Sequence, residues 1–248
     1  MFVLKNMSTV RISAKKKIKV KKSTISTDED LTSQISNVSE LYQKMTHVEH
    51  VLKKPDSYVG SVELEETEQY ILDESNPEDI KITKETFQVC PGFYKCFDEL
   101  LVNAFDHSKR QLSKINKGNK LAVEVKNIKV EIDPEEGFIS VYNDGDGIDV
   151  ELIPEHNIYP PELIFGTLLT STNYDDNEKR EWGGRNGYGA KLANIFSIRM
   201  DVETVDYNRK KKLNQTFKDN MSVKETPIIS KCSSNGFTKI TWFPDRPD

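Results

Sequence analysis

One long amphipathic segment constrains the fold of this chain more than any other feature. After Pro91 the chain reads GFYKCFDELLVNAFDHSKRQL, with apolar residues at helical spacing at Phe93, Phe97, Leu100, Leu101 and Ala104. Two strand patterns come next, AVEVKNIKVEI and FISVYND, joined by the turn-forming DPEEG. A long helix followed by an antiparallel strand pair indicates a sheet with a helix packed on one face.

The rest of the chain extends this arrangement. Before the long helix, a short helical pattern stops at Pro55, and an acidic hairpin-like segment has Tyr70, Ile71 and Leu72 as its apolar strand. After it, the sequence predicts helices over 161–170 and 190–197, a charged loop over 174–186, and the closing strands RMDVETV, KLNQTF and GFTKITWF. We therefore predict an α+β fold, a two-layer sandwich of a mixed, mainly antiparallel sheet covered by helices on one face.

Charge is divided unevenly between the N-terminal tail and the remainder. The net charge is −5, but residues 1–22 contain eight cations and no acid, whereas the remainder contains 27 cations and 40 acids. This composition predicts a disordered basic tail over residues 1–36 and a folded domain over 37–248. The tail is either a solvated arm or a segment for nuclear targeting or nucleic-acid contact. The acidic body argues against a broad DNA-binding surface in this region alone.

Composition also excludes several classes of protein. No apolar run approaches the roughly 18 residues of a membrane span, and the N-terminus has no signal-peptide pattern. We therefore expect no membrane partner. The three cysteines, Cys90, Cys96 and Cys232, are odd in number and match no zinc spacing, which favours a reducing intracellular compartment over a disulfide framework.

The long helix carries the first motif with chemical potential. Glu99, Asn103, Asp106 and Arg110 follow one another at spacings of four, three and four residues, so they share one face. Such a stripe is either an ordinary solvated side or a functional one. In the functional interpretation, Glu99 orients a water molecule while the Asn103 carbonyl oxygen binds a hard cation such as magnesium.

The second motif is NDGDGID, residues 143–149, which comes directly off an apolar strand. Asp144 is placed at the strand end, where a turn exposes it. Gly145 and Gly147 would let a flat ring approach the backbone. The alternative is a plain Asx-Gly turn without a ligand.

The third motif, GGRNGYGAK at 183–191, is rich in glycine but matches neither common phosphate loop. Ala190 stands where a P-loop requires lysine, and the dinucleotide pattern fails at Leu192. The preceding TSTNYDDNEKREW is highly charged, as expected of a mobile lid. Arg185 and Lys191, with helix N-terminal amides, could hold an anion. The alternative is an ordinary glycine-rich surface loop.

Together, the three motifs in this order resemble the ATP site of the GHKL superfamily of gyrases, heat-shock chaperones, histidine kinases and mismatch-repair ATPases. Within it, FDELLVNAFDHSKR, LIFGTLLTSTNYDD and GGRNGYGAKLANIFS are similar to the N-terminal ATPase domain of eukaryotic-type type II DNA topoisomerases, and YQKMTHVEHVLKKPDSYVGS and WFPD agree with it. The resemblance covers about residues 37–245. It implies the GHKL ATPase fold, ATP and Mg²⁺ as cofactors, and ATP-dependent passage of one DNA duplex through another.

The resemblance also implies roles for individual residues. Glu99 resembles the general base that polarises the attacking water, Asn103 the magnesium ligand, and Asp144 the acceptor for the adenine amino group. Tyr42 falls in an arm that crosses to the nucleotide of a partner subunit. The remaining nucleotide contacts that it implies are Asp106, His107, the ribose- and phosphate-contacting Ser171, Thr172 and Asn173, and the lid residues Arg185, Asn186, Gly187, Tyr188, Gly189 and Lys191.

One position departs from the family pattern. His107 stands where animal and yeast members have a second asparagine that contacts phosphate. His107 therefore either substitutes as a hydrogen-bond donor or leaves that contact weaker. The alternatives to a topoisomerase gate are a chaperone-like or mismatch-repair-like ATPase module and a histidine-kinase domain, and the last needs a phospho-acceptor helix that no histidine here clearly provides.

The resemblance finally implies partners and a location. Family members form homodimers through the ATP gate and act on DNA with a transducer and a DNA-cleavage domain. The chain stops just after WFPD, so we expect those two domains to be absent from it. We expect a nuclear location, or a cytoplasmic one if the source is a large DNA virus.

Overall fold

The computed structural model describes residues 45–168 and 188–245. Several predictions lie outside these ranges, namely those for the tail over 1–36, the charged loop over 174–186, Tyr42, Ser171, Thr172, Asn173, Arg185, Asn186 and Gly187.

The first described element is the short helix α1, His47–Lys53. Its N-terminus is fixed by a capping box in which Thr46 Oγ1 accepts from the Glu49 amide at 3.2 Å and Glu49 Oε2 accepts from the Thr46 amide at 2.7 Å. A 3₁₀ turn over Pro55–Ser57 follows, so the helix stops at Pro55 as predicted.

The predicted acidic hairpin forms a separate two-stranded antiparallel sheet. Its strands are β1, Glu65–Asp73, and β2, Lys81–Val89. Ile71 is buried on one face, whereas Tyr70, Leu72 and Ile82 are exposed. The face of the hairpin opposite Ile71 is therefore exposed to solvent.

The long helix α2 spans Pro91–Asn116. Proline at its first position suits the helix start, because the missing amide would have no intrahelical partner there. It runs one turn beyond the predicted segment and ends before Gly118, which adopts a left-handed φ of 80°. Its buried side includes Cys96, Leu100 and Ala104. Two shorter helices, α3 (Pro160–Gly166) and α4 (Gly189–Ile195), pack with α2 on the main seven-stranded sheet.

The main sheet has seven strands in the order β3-β4-β9-β5-β6-β7, with β8 also paired to β6. Its strand pairs are antiparallel. The strands are β3 (Ile128–Asp133), β4 (Phe138–Asp144), β5 (Ser197–Asp206), β6 (Lys211–Lys218), β7 (Val223–Lys224), β8 (Ile228–Lys231) and β9 (Phe237–Pro244).

Burial alternates along the central strands, which places the core between the sheet and the helices. Along β9, Thr238, Ile240, Trp242 and Pro244 are buried, while the residues between them are half-exposed. The Trp242 indole nitrogen donates to the Ala193 carbonyl of α4 at 2.8 Å, and its ring packs 5.2 Å from that of Phe93 of α2. The predicted two-layer α+β architecture is confirmed.

The structure differs from the predicted strands in two places. Residues 122–127, predicted as the start of β3, do not form a strand, because the amides of Lys126 and Asn127 bond to the Asp144 carboxylate instead of a ladder partner. The short strands β7 and β8 were missed, since four residues or fewer carry too little periodicity. Within the described ranges, every helix is too short or too polar to cross a bilayer.

Candidate functional site

Glu99 lies on the face of α2 that meets the first residue of α4. Its side chain is one-quarter exposed and forms an ion pair with Lys95, one turn earlier on the helix, with 2.5 Å between Lys95 Nζ and Glu99 Oε1. A hydrogen bond to Glu99 raises the pKa of Lys95. The carboxylate is therefore accessible and held in one direction, as a group that orients water must be.

Gly189 explains how the two helices approach at this point. A Cβ atom at Gly189 would lie 1.8 Å from Glu99 Oε2, far inside van der Waals contact. A side chain at this position would displace the Glu99 carboxylate, and glycine lets the carboxylate lie against the start of α4. Gly189, which the sequence analysis placed in the lid, therefore allows the start of α4 to pack against Glu99.

Asn103 lies one turn after Glu99 and is exposed. Its Nδ2 donates to the Glu99 backbone carbonyl at 2.6 Å, a bond that uses the amide nitrogen and not the amide oxygen. Among the described residues, no group of three histidine, cysteine or acidic side chains could enclose a metal. A single amide oxygen suits Mg²⁺, which keeps most of its waters and takes further ligands from phosphates.

Asp144 is the last residue of β4, and its carboxylate is held by the segment before β3. Oδ1 accepts from the amides of Lys126 at 2.7 Å and Asn127 at 3.0 Å, and Oδ2 accepts from Asn127 Nδ2 at 2.7 Å. Burial pushes the pKa of Asp144 up, but the hydrogen bonds from Asn127 and Lys126 outweigh it and hold the pKa below its ordinary value. Asp144 is therefore a fixed, ionised acceptor.

The turn after Asp144 is pressed against β5. A Cβ atom at Gly147 would lie 2.0 Å from the Val205 carbonyl oxygen, and φ at Gly147 is 76°. The Tyr207 amide donates to the Asp146 carbonyl at 2.9 Å, and the Ile148 amide donates to Thr204 Oγ1 at 2.9 Å. Glycine is therefore required at position 147 by packing against β5. The sequence analysis had instead expected Gly147 to let a flat ring of a ligand approach the backbone.

Asp106, in the second half of the polar stripe, is buried, and its neighbours His107 and Gln111 contact this turn. Asp106 is 3% exposed and Gln111 is 1% exposed. Gln111 Nε2 donates to Asp146 Oδ1 at 2.9 Å, and His107 Nε2 lies 3.1 Å from the same oxygen. The stripe on α2 is therefore not a solvated face, and that alternative is wrong for its second half.

Lys191 and Tyr188 lie at the start of α4. Lys191 is 1% exposed, and burial lowers its pKa to about 8. Tyr188 is the N-cap residue and packs against the core. A lysine with a lowered pKa at this position can supply charge or a proton near neutral pH.

The structure brings part of the predicted site together. Glu99 meets Gly189, Asn103 lies one turn away, and His107 meets the turn that follows Asp144. The sequence analysis missed four supporting residues: Lys95, Gln111, Asn127 and Asp146. For Lys95 the four-residue spacing to Glu99 was an available signal, whereas Gln111 and Asn127 act through tertiary contacts that no local pattern reveals.

Comparisons with known proteins agree with this geometry. The family model described as histidine kinase-, DNA gyrase B-, and HSP90-like ATPase matches residues 90–246. The DNA topoisomerase 2 of Acanthamoeba polyphaga mimivirus is 49% identical over 211 residues, which is 84% of this chain and 16% of that protein. The DNA topoisomerase 2 of Pisum sativum is 47% identical over 209 residues, which is 84% of this chain and 13% of that protein.

A solved structure gives the same result. The ATPase region of Saccharomyces cerevisiae topoisomerase II matches with a TM-score of 0.72 and 45% identity, covering 84% of this chain and 52% of that one. The chain therefore spans about half of that region, and 13% to 16% of the two curated relatives.

Proposed function

Because the chain belongs to the histidine kinase-, DNA gyrase B-, and HSP90-like ATPase family, we propose that it binds and hydrolyses ATP as the gate of a type II DNA topoisomerase. In the whole protein, the gate would drive the passage of one DNA duplex through another. The observation that carries this proposal is the contact between the Glu99 carboxylate and Gly189, which brings a candidate base to the end of the glycine-rich segment.

Glu99 is the general base in this proposal. Its carboxylate accepts a hydrogen bond from the attacking water and aligns it for displacement at phosphorus. Lys95 holds the carboxylate through its ion pair with Oε1, which reduces the number of directions in which Glu99 can point. Glu99 is the catalytic residue, and Lys95 positions it.

Asn103 provides the protein ligand for Mg²⁺ through its amide oxygen. The bond from its Nδ2 to the Glu99 carbonyl fixes the rotation of the carboxamide, so the oxygen has a defined direction. When bound, Mg²⁺ would neutralise charge on the phosphates.

Asp144 accepts the adenine amino group. Three hydrogen bonds occupy its carboxylate, which has about four acceptor positions. One position remains for an amino donor, and the ionised state makes that bond strong. This acceptor favours adenine over guanine, which presents a carbonyl oxygen at that position.

Further contacts are proposed on the resemblance. Asp106 and His107 belong to the nucleotide site, as do Ser171, Thr172 and Asn173. The lid residues Arg185, Asn186, Gly187, Tyr188, Gly189 and Lys191 would wrap the triphosphate, and the cationic side chains among them complement its charge.

We also propose the partners and organisation that the resemblance implies. Residues 1–36 are a disordered basic tail, and residues 37–248 are the ATP-binding domain. Tyr42 reaches the nucleotide of a second copy, DNA is the partner of the whole protein, and the location is nuclear, or cytoplasmic if the source is a large DNA virus.

Calorimetry and light scattering with a non-hydrolysable ATP analogue test the proposal. We expect one Mg²⁺-dependent site for each chain and a shift from monomer to dimer, since a ligand shared across an interface favours the dimer. Tyr42→Phe should weaken the shift without removing the binding. Absence of binding would refute the ATP site, and binding with no change in mass would refute the gate.

A further inference from the structure

We propose that Asp146 is a positioning residue for the base-binding turn, and that His107 and Gln111 hold it against α2. The inference rests on the proposed ATP site and deepens it. It assigns His107 to the base end of the nucleotide, whereas the family pattern places a phosphate contact at this position.

The side chains of these three residues meet at one oxygen. Asp146 Oδ1 accepts from Gln111 Nε2 at 2.9 Å and lies 3.1 Å from His107 Nε2. The side chains of His107 and Asp146 are 15% and 13% exposed, and Gln111 is 1% exposed. A carboxylate this shielded from water depends on its protein partners, so the loss of one of them is felt by the segment that carries it.

The His107 contact is electrostatic and steric more than a linear hydrogen bond. Its Nε2 is buried, and the angle to Asp146 falls outside hydrogen-bond geometry. The same nitrogen would lie 3.2 Å from a Cβ placed on Gly145, so the imidazole packs directly beneath the turn. His107 thus limits how far the turn can move toward α2.

The turn is clamped from two sides. On the sheet side, the Asp146 carbonyl accepts from the Tyr207 amide at 2.9 Å, and Gly147 rests on Val205. On the helix side, the Asp146 carboxylate meets His107 and Gln111. Without the helix-side contacts, only the sheet would hold the turn. The helix side of the turn could then shift away from the position at which it lies against the base.

Charge on α2 supports the arrangement. Burial lowers the pKa of Arg110, and the carboxylates of Asp106 and Asp146 oppose that effect. Arg110 is therefore a cation close to the carboxylates of Asp106 and Asp146, and it offsets the negative charge of the shielded Asp146.

Binding of the nucleoside adenosine, compared with binding of a non-hydrolysable ATP analogue, distinguishes a role of His107 at the base from a contact with phosphate. If His107 acts through the turn, His107→Ala weakens adenosine and a non-hydrolysable ATP analogue by the same factor. If it donates to a phosphate, only the analogue is affected. Misplacing the turn by enough to lose one hydrogen bond to the base corresponds to about 2- to 13-fold in affinity, and we expect a loss in that range for both ligands.

A double-mutant cycle tests the pathway through Asp146. Binding of both ligands is measured for His107→Ala, Asp146→Asn and the double variant, with thermal melting to verify folding. We expect the double variant to bind no more weakly than the weaker single variant, because both changes release the same turn. His107→Gln, whose side chain fills part of the same space and offers a polar group to Asp146, should recover most of the affinity. The matched control is His156→Gln, since His156 is exposed and lies outside the site.

The outcomes separate this inference from the proposed function. Failure of the unmodified protein to bind either ligand would refute the ATP site itself. Normal binding by the unmodified protein with an analogue-specific loss in His107→Ala, or with strictly additive losses in the double variant, would overturn the role of Asp146. Lower melting temperature with unchanged affinity in each folded variant would also overturn it, since the contacts would then be structural only.

Discussion

The two halves of the polar stripe on α2 have the same spacing but different surroundings. The first half, Glu99 and Asn103, faces the start of α4 and remains accessible to solvent. In the second half, Asp106 is buried and Arg110 is half-buried, and the adjacent His107 and Gln111 contact the turn after β4. The difference lies in what packs opposite each half. A shared helical face therefore does not imply a shared role.

The difference has a chemical consequence. In the first half, each functional group has a partner within its own helix, Lys95 for Glu99 and the Glu99 carbonyl for Asn103. Such contacts orient a side chain without covering it. Beside the second half, Gln111 donates to Asp146 in the turn and so holds that turn against α2. We conclude that the accessible half suits chemistry and the buried half suits positioning. Substitutions at Glu99 and Lys95 test the accessible half, and a substitution at Asp144 tests the site beside the turn.

The largest expected effect is on turnover at Glu99. A positioned general base contributes about 10² to 10⁴ in rate, so Glu99→Gln should bind the ATP analogue nearly normally and release phosphate more slowly by that factor. Steady-state phosphate release by the dimeric protein measures it, with Glu155→Gln, at an exposed carboxylate away from α2, as the control. A decrease of less than about tenfold would place the base elsewhere.

Asp144 should affect affinity more than turnover. A hydrogen bond to a charged group contributes about 1.5 to 3 kcal/mol, so Asp144→Ala should weaken nucleotide binding by about 10- to 150-fold. Because the folded-state pKa is held below the unfolded value, the carboxylate stays ionised above about pH 5, and its contribution to stability falls only as the pH drops through the folded pKa. Calorimetry at neutral and acidic pH measures both effects. Unchanged affinity for the adenine nucleotide would remove Asp144 from the base site.

The predictability of the molecule from its sequence follows the same division. The accessible half was identified because Glu99 and Asn103 share one polar face of the helix at four-residue spacing and match the motif of the family. The strands were predicted correctly where apolar and polar residues alternate strongly, as in β9. The strand prediction was wrong at residues 122–127, because the amides of Lys126 and Asn127 donate to the side chain of Asp144, which is distant in sequence. The role of the second half depends on how the turn folds back over α2, and that contact joins Gln111 to Asp146 across 35 residues of sequence.

The smallest expected effect is at Lys95, and it shows how far orientation matters in the accessible half. The pair with Glu99 is partly exposed, with side chains 45% and 25% accessible. Such ion pairs contribute about 0 to 1 kcal/mol, so Lys95→Gln should slow phosphate release by no more than about fivefold and leave the free energy of unfolding within about 1 kcal/mol. Phosphate release and chemical denaturation measure these quantities, and Lys109→Gln, on the exposed side of the same helix, is the matched control. A loss in Lys95→Gln as large as that in Glu99→Gln would mean that the ammonium group takes part in the reaction itself. The accessible half of the stripe would then need two charged groups, and not one carboxylate with a partner that orients it.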